Sequence, residues 1–307
     1  MNLDFSNIKI LLVGDFMIDH YIIGTSNRMS PEAPVPVVTP EKEYSIPGGA
    51  GNVAMNLRAM GAEVKCIGVV GNDSWGKELL SILNSEDINT KNISIIDNHP
   101  TTLKQRIYSD GKQVARLDTE KIIDWQPDSE MKHDYSDYDI IILSDYNKGV
   151  LNHPWFSMNN LDNVIVDPKK DAFSHYSQAN IITPNLNELQ RASKIEINDN
   201  KSIIDACNEL IQECNFNYIV AKKSDQGMTI VGKNNFVKHI EAHPVKNPDV
   251  TGAGDTVVAA LSLVFAKTQD IEISAMVANA AAAVVVGKTG TATVTIDEIN
   301  NYISIDE

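Results

Sequence analysis

The sequence predicts an α/β protein whose mostly parallel sheet is covered by helices on both faces, with a second, smaller sheet outside it. Two observations predict this. Short, β-branched, nearly continuous apolar runs alternate with helical patterns, as in a parallel sheet buried on both sides. Two segments break the alternation and have no crossover helix of their own.

Taken in order, Ile8–Val13 is a buried strand. Residues 17–46 are rich in Pro and in short β-prone pieces, as in Ala33-Pro-Val-Pro-Val-Val-Thr39. A helix over Gly51–Met60 places Val53, Leu57 and Met60 on one face. Val64–Val70 is the next core strand. Residues 101–118 read as two strands joined by a turn at Ser109-Asp110-Gly111. Further strands follow at Ile140–Ser144, Val164–Asp167, Ile181–Thr183 and Tyr218–Ala221. Lys201–Cys214 is helical, with Ile203, Ile204, Cys207, Leu210 and Ile211 on one face. Gly254–Ala266 and Ile271–Val286 are apolar nearly all round and belong deep in the core. The segments 17–46 and 101–118 are expected to form a small antiparallel sheet acting as a lid.

The chain has 307 residues, about two domains' worth by length alone, or one large α/β domain with an appendage. A single domain over 1–307, with lid segments at about 17–46 and 101–118, is expected. Acidic residues outnumber basic ones, 41 to 26, for a formal charge of −15. That balance argues against a nucleic-acid partner, whose phosphates need a basic footprint. It leaves room for a small phosphorylated ligand in a locally positive pocket. Cys66, Cys207 and Cys214 are odd in number and lack CxxC spacing, which suits a reducing cytoplasm. The longest apolar stretch, Ala275–Val286, is interrupted by Asn279 and is too short to span a membrane.

Several motif-like segments fail on chemistry. Gly71 to Glu78 nearly spells a P-loop, but Glu78 stands where a Mg²⁺-binding hydroxyl belongs; Asp73 capping a helix is the simpler reading. Gly287-Lys-Thr closes a helix pattern, at the pole that repels phosphate. Gly252-Ala-Gly254 continues with Val257 where a dinucleotide fingerprint needs glycine. His239 and His243 lack the intervening Glu of a zinc-protease helix.

Three segments survive. Asp249-Val-Thr-Gly252-Ala253-Gly254-Asp255 runs directly into an apolar helix. Small residues there leave helix N-terminal amides open to an anion. Asp255 beside such a site is either a helix N-cap or a general base for an attacking hydroxyl. Pro47-Gly48-Gly49-Ala50-Gly51-Asn52 also opens a helix. It is either a turn or a close approach to a polyhydroxylated ligand, with the Asn52 amide as donor and acceptor. Asn185 and Glu188 lie one helical turn apart after the strand at 181–183. They either cap a surface helix or face a hydrated Mg²⁺.

In this order the pieces resemble the ribokinase-like (PfkB-type) carbohydrate kinase family over essentially the whole chain. Its first signature is similar to Gly48 through Gly61, continuing to Asp73, and its second to Asp249 through Asp255. Gly14-Asp15 to Asp19, Arg28 to Val38, Leu143 to Gly149, Asp167-Pro-Lys169 and Asn279 to Lys288 resemble the branch that phosphorylates heptose 7-phosphates. Some members carry a fused nucleotidyltransferase domain with a His-x-Gly-His motif. These residues contain none, so a stand-alone kinase is expected.

The resemblance implies a ribokinase-like three-layer α/β/α sandwich with a small β-sheet lid. It implies ATP-dependent phosphorylation of the anomeric hydroxyl of D-glycero-D-manno-heptose 7-phosphate, toward nucleotide-heptose and lipopolysaccharide precursors. The alternatives are a kinase for another sugar or sugar phosphate, or a non-catalytic sensor of sugar or nucleotide. Asp255 would be the base, with Gly252, Ala253 and Gly254 as the anion hole. Asn185, Leu186, Asn187 and Glu188 would sit by the nucleotide phosphates, with Asn185 and Glu188 holding Mg²⁺ through water. Lys223, Ser224 and Gly227 would line the nucleotide, with Asn279 near adenine. Asp15, Asp19, Gly48, Gly49, Asn52 and Asp145 would meet the sugar. Lys104, Arg106, Lys148 and Lys169 are the cations expected to gather around the substrate's own phosphate. The cofactors implied are ATP and Mg²⁺, with a monovalent cation left open. A homodimer is expected, because a small sheet buries little alone.

Overall fold

The computed structural model describes residues 3–127, 135, 137–152 and 163–306. In chain order the elements are β1 (Lys9–Gly14), β2 (Phe16–Thr25), β3 (Thr39–Gly49), α1 (Ala50–Ala59), β4 (Glu63–Gly71), α2 (Ser74–Ser85) and β5 (Asn89–Ile96). Next come β6 (Thr102–Ser109), β7 (Lys112–Thr119), β8 (Ile140–Ser144), β9 (Val164–Asp167), β10 (Ile181–Ile182), α3 (Leu186–Ser193) and α4 (Asn200–Cys214). The chain ends with β11 (Tyr218–Lys222), β12 (Met228–Gly232), β13 (Phe236–Ile240), α5 (Ala253–Thr268), α6 (Ile271–Val286) and α7 (Ile296–Asp306).

A nine-stranded sheet runs β13-β12-β11-β10-β9-β8-β1-β4-β5. From β5 to β11 every pairing is parallel, and β12 and β13 close that edge as an antiparallel hairpin. Alternation along β1 shows how the strand serves two layers. Ile10 and Leu12 point into a core with Val53 and Leu57 of α1, Leu79 of α2, Leu261 of α5 and Ala278 of α6. Leu11 and Val13 point into the opposite core, with Leu189 of α3 and Ile203 and Leu210 of α4. The result is the expected α/β/α sandwich. Cys66, Cys207 and Cys214 are all buried and unpaired. Among the described residues no helix is long and apolar enough to cross a membrane.

The second sheet has four strands in the order β3-β2-β6-β7. It is not wholly antiparallel, as the sequence suggested, because β2 and β6 run parallel. The reason is topological. β2 leaves β1 and β6 follows β5, and those core strands point the same way, so both extensions rise together. β3 returns antiparallel on β2, and β7 returns on β6 through a turn with positive φ at Asp110 and Gly111, the residues expected to make it. All eight residues of β7 are exposed.

Candidate active site

The site lies where the parallel strands end and α1 and α5 begin. α5 is entered through Gly252 at φ 76°, and no side chain caps its first turn. A Cβ on Gly252 would stand 2.6 Å from Asn52 Nδ2, so both the dihedral and the space call for glycine. Ala253 N–H reaches Val250 O at 3.3 Å and Thr256 N–H reaches Gly252 O at 3.1 Å. Between them, Gly254 and Asp255 supply the open N–H donors expected of a helix start. α1 begins after Gly49, at φ 56°, with Ala50 N–H bonded to Asp15 O at 3.1 Å. This start places Asn52 in the first turn, facing α5.

Asp255 is the centre of the arrangement and is only 5% exposed. Its carboxylate accepts from Asn52 Nδ2 at 2.7 Å and from the Tyr146 hydroxyl at 2.6 Å. Asn56 holds Asn52 in turn, donating to its carbonyl at 3.0 Å and to its side-chain oxygen at 3.2 Å. Thr256 donates to Asn56 Oδ1 at 3.2 Å. Burial pushes the Asp255 pKa up to about 6, against the lowering effect of the Tyr146 and Asn52 hydrogen bonds. A carboxylate so placed is ionised at neutral pH, yet a better proton acceptor than an exposed one. Tyr146→Phe removes one bond to the ionised form. The acid limb of kcat/KM is expected to move up by about one pH unit, the equivalent of one charge-assisted hydrogen bond. An unmoved limb would contradict the assigned role of that hydroxyl.

The residues expected near the nucleotide fall into two groups. Asn185 caps α3, accepting from Glu188 N–H at 2.9 Å, and Glu188 returns the bond to Asn185 N–H at 2.9 Å. Lys169 Nζ lies 3.2 Å from Glu188 Oε1. Leu186 packs on the α3–α4 core and Asn187 is exposed. The second group surrounds Ile240 and Glu241. Gly227, at φ 82°, lies so close to Ile240 O that a Cβ would collide with it. Asn279 donates to Glu241 O at 2.8 Å. Ser224 adopts φ 57°, and desolvation lowers the pKa of the neighbouring Lys223, opposed by Glu241. Among the described residues no cluster of three His, Cys, Asp or Glu side chains could hold a metal ion. Asn185 and Glu188 bond to each other and Glu188 to Lys169, and the lone pairs left on their side-chain oxygens suit a hydrated cation.

On the opposite side stand the residues expected to meet the sugar. Asp19 Oδ1 pairs with Arg106 at 2.6 Å, and a Cβ on Gly48 would lie 2.6 Å from Asp19 Oδ2. Lys104 pairs with Asp19 in strand register, and its ammonium stands 5.6 Å from the Tyr146 ring centroid. Lys104 lies within electrostatic reach of Arg106 and Lys148, whereas Lys169 stands beside Glu188, and most of these cations are already paired. Arg106 is neutralised by Asp19, Lys148 by Glu120 at 2.7 Å, and Lys169 by Glu188. Lys104 has no ion pair among the described residues, and desolvation lowers its pKa.

Asp15 and Asp145 hold the loop after β8. Asp15 accepts N–H bonds from Tyr146 at 2.8 Å, Lys148 at 2.9 Å and Val150 at 3.2 Å. Asp145 accepts from Asn147 N–H at 2.6 Å and the Tyr176 hydroxyl at 2.7 Å, with Lys170 at 3.4 Å. These bonds shape the loop that presents Tyr146 to Asp255. The sequence assigns no role to Tyr146 or Lys222, although each sits at or just past the C-terminal end of a core strand, where such sheets bind ligands.

The sequence pattern described as pfkB family carbohydrate kinase matches residues 7–298. The chain is 42% identical over 310 residues to "Bifunctional protein HldE" of Aliarcobacter butzleri, covering 96% of this chain and 64% of that protein. It is 41% identical over 307 residues to the protein of the same name from Sulfurimonas denitrificans, again over 96% of this chain and 64% of the relative. The chain thus spans less than two thirds of the length of these bifunctional relatives. Its fold is that of the Arabidopsis thaliana ribokinase solved with ribose and ATP, at a TM-score of 0.76 and 17% identity, over 96% of this chain and 98% of that one.

Proposed function

The chain belongs to the pfkB family of carbohydrate kinases, and we propose that it transfers the γ-phosphoryl group of ATP to the anomeric hydroxyl of D-glycero-D-manno-heptose 7-phosphate. The observation that carries the chemistry is Asp255, buried, gripped by Asn52 and Tyr146, and set in the same helical turn as the open amides of Gly254 and Asp255. Asp255 takes the proton from the sugar's anomeric oxygen. That oxygen forms a bond to the γ-phosphorus as the bond to the β,γ-bridging oxygen breaks, and ADP leaves. The helix amides stabilise the charge on the transferring oxygens. ATP would be taken up as its magnesium complex, and Asn185 and Glu188 are the residues that would hold the hydrated ion through water.

The substrate assignment is supported by the segments Gly14–Asp19, Arg28–Val38 and Leu143–Gly149, which resemble the heptose-phosphate branch. Lys104 supports it too, as a cation without an ion pair among the described residues, over the ring of the Tyr146 that grips the base. The small sheet serves as a lid that excludes water from the transfer. The exposed Val114 and Leu117 of β7 suit pairing with a second copy. The 1,7-bisphosphate would enter nucleotide-heptose synthesis in the cytoplasm, where ATP and free thiols coexist. A monovalent cation remains an expectation of the family resemblance.

A panel of sugars and sugar phosphates assayed for ADP release tests the substrate. Heptose 7-phosphate should exceed plain hexoses and ribose in kcat/KM. A plain sugar outperforming it would overturn the heptose assignment, and no ADP with any sugar would favour a binding protein on a kinase fold.

A further inference from the structure

We propose that Lys222 contacts the transferring phosphoryl group and is a catalytic residue of this site, an inference that rests on the phosphotransfer reading above. Lys222 ends β11, and its backbone N–H is tied to Pro184 O at 2.8 Å, one residue before the Asn185 cap. Its ammonium is 2.6 Å from Asp167 Oδ1, and Asp167 is further fixed by the Thr183 hydroxyl at 3.1 Å. The same ammonium lies 3.5 Å from the position a Cβ on Gly254 would take. It therefore stands against the first turn of α5, beside the amides that define the anion hole.

The hydrogen-bond count leaves room for a ligand. An ammonium has three donors. Among the described residues Asp167 is the only hydrogen-bond partner of Lys222 Nζ. The electrostatics call for a cation here. A nucleotide triphosphate entering this cleft meets Asp167, Glu188 and Asp255, and all three interact electrostatically with Lys222. Against those carboxylates an ammonium beside the helix amides adds a fixed positive charge of the protein's own to the one that magnesium brings with the nucleotide. Asp167 holds the ammonium in place, so it need not reorganise as charge shifts during transfer.

The alternative is an ion pair serving only the fold, and four proteins separate the two: wild type, Lys222→Met, Lys222→Arg and the double variant Lys222→Met with Asp167→Asn. The readouts are thermal stability and calorimetric binding of the magnesium complexes of ADP and of the β,γ-imido analogue of ATP. Lys222→Met should weaken the triphosphate analogue about 10- to 100-fold and ADP by less than about 3-fold, the size of one charge-assisted contact to the terminal phosphate. Lys222→Arg should recover part of that discrimination. The double variant removes the stranded buried carboxylate and should recover stability but not the lost affinity. Equal weakening of both nucleotides, or recovery of triphosphate affinity in the double variant, overturns the assignment. A wild type that binds neither nucleotide overturns the phosphotransfer reading itself, and this inference with it.

Discussion

Asp255→Asn is expected to lower kcat at least ~10²-fold, the low end for loss of a general base, while binding of nucleotide and sugar changes little. The amide keeps the shape and can still accept from Asn52, but it cannot take a proton. The same substitution should stabilise the protein at pH 8. The folded-state pKa of Asp255 is raised from 3.8 to about 6. A raised carboxyl contributes stability that is present below the unfolded pKa and lost as pH climbs through the folded one. At pH 8 the wild type therefore bears an ionised buried carboxylate, a cost of about 3 kcal/mol from a shift of roughly two units. At pH 5 the folded-state carboxyl is mostly protonated and the variant's advantage shrinks. Near-normal turnover, or a stability gain that does not grow between pH 5 and pH 8, would contradict this description of the base.

Gly252 and Gly254 are expected to respond to added side chains in opposite ways. Gly252→Val forces a β-branched residue to φ 76° and drives its Cβ against Asn52 Nδ2. It should cost about 2 kcal/mol or more from the left-handed backbone alone. It should also push Asn52 off Asp255 and remove most activity. Gly254 lies within the helix, and the nearest atom to a Cβ there is Lys222 Nζ at an ordinary 3.5 Å. Gly254→Ala should fold as well as the wild type or gain up to about 1 kcal/mol from helix propensity. It nevertheless places a methyl where the phosphoryl group must approach. Turnover should fall at least ~10-fold, short of the ~10²–10³-fold seen when an oxyanion donor is lost outright. Thermal melts and initial rates on the two variants check the contrast. A Gly254→Ala protein with full activity would place the phosphoryl group elsewhere.

Much of this was legible in the sequence where local chemistry decides. The core strands, the helices at α1, α4, α5 and α6, and the Asp110-Gly111 turn follow from periodicity and turn preference. Edge elements were harder. β5 reads Asn-Thr-Lys-Asn-Ile-Ser-Ile-Ile, half polar because one side of an edge strand faces water, and β12–β13 add an antiparallel hairpin where a βα rhythm was being followed. In the site, Asp255 and Asn52 each stood out by opening a helix from a glycine-rich segment. Their hydrogen bond joins residues 203 positions apart, a pairing the fold creates. The same holds for Tyr146, which no motif marks as a partner of the base. The charges were least legible. The lysines and arginines are spaced suggestively in the sequence, but Arg106, Lys148 and Lys169 each find a carboxylate in space, so the local positive field is smaller than the residue types imply. Asp15 accepts three backbone N–H bonds from the loop after β8, and Asp145 accepts one there and meets the Tyr176 hydroxyl and Lys170 with its other oxygen, partners that lie far off in the sequence.

Phosphoryl transfer to the anomeric oxygen of heptose 7-phosphate leaves a covalent record in its product. Phosphorus NMR of a reaction containing the protein, Mg·ATP and heptose 7-phosphate tests it most directly. A new phosphate resonance coupled to the anomeric proton is expected, growing in step with ADP and at least ~10²-fold more slowly with Asp255→Asn. A phosphate appearing on another carbon, or ADP accompanied only by inorganic phosphate, would contradict it.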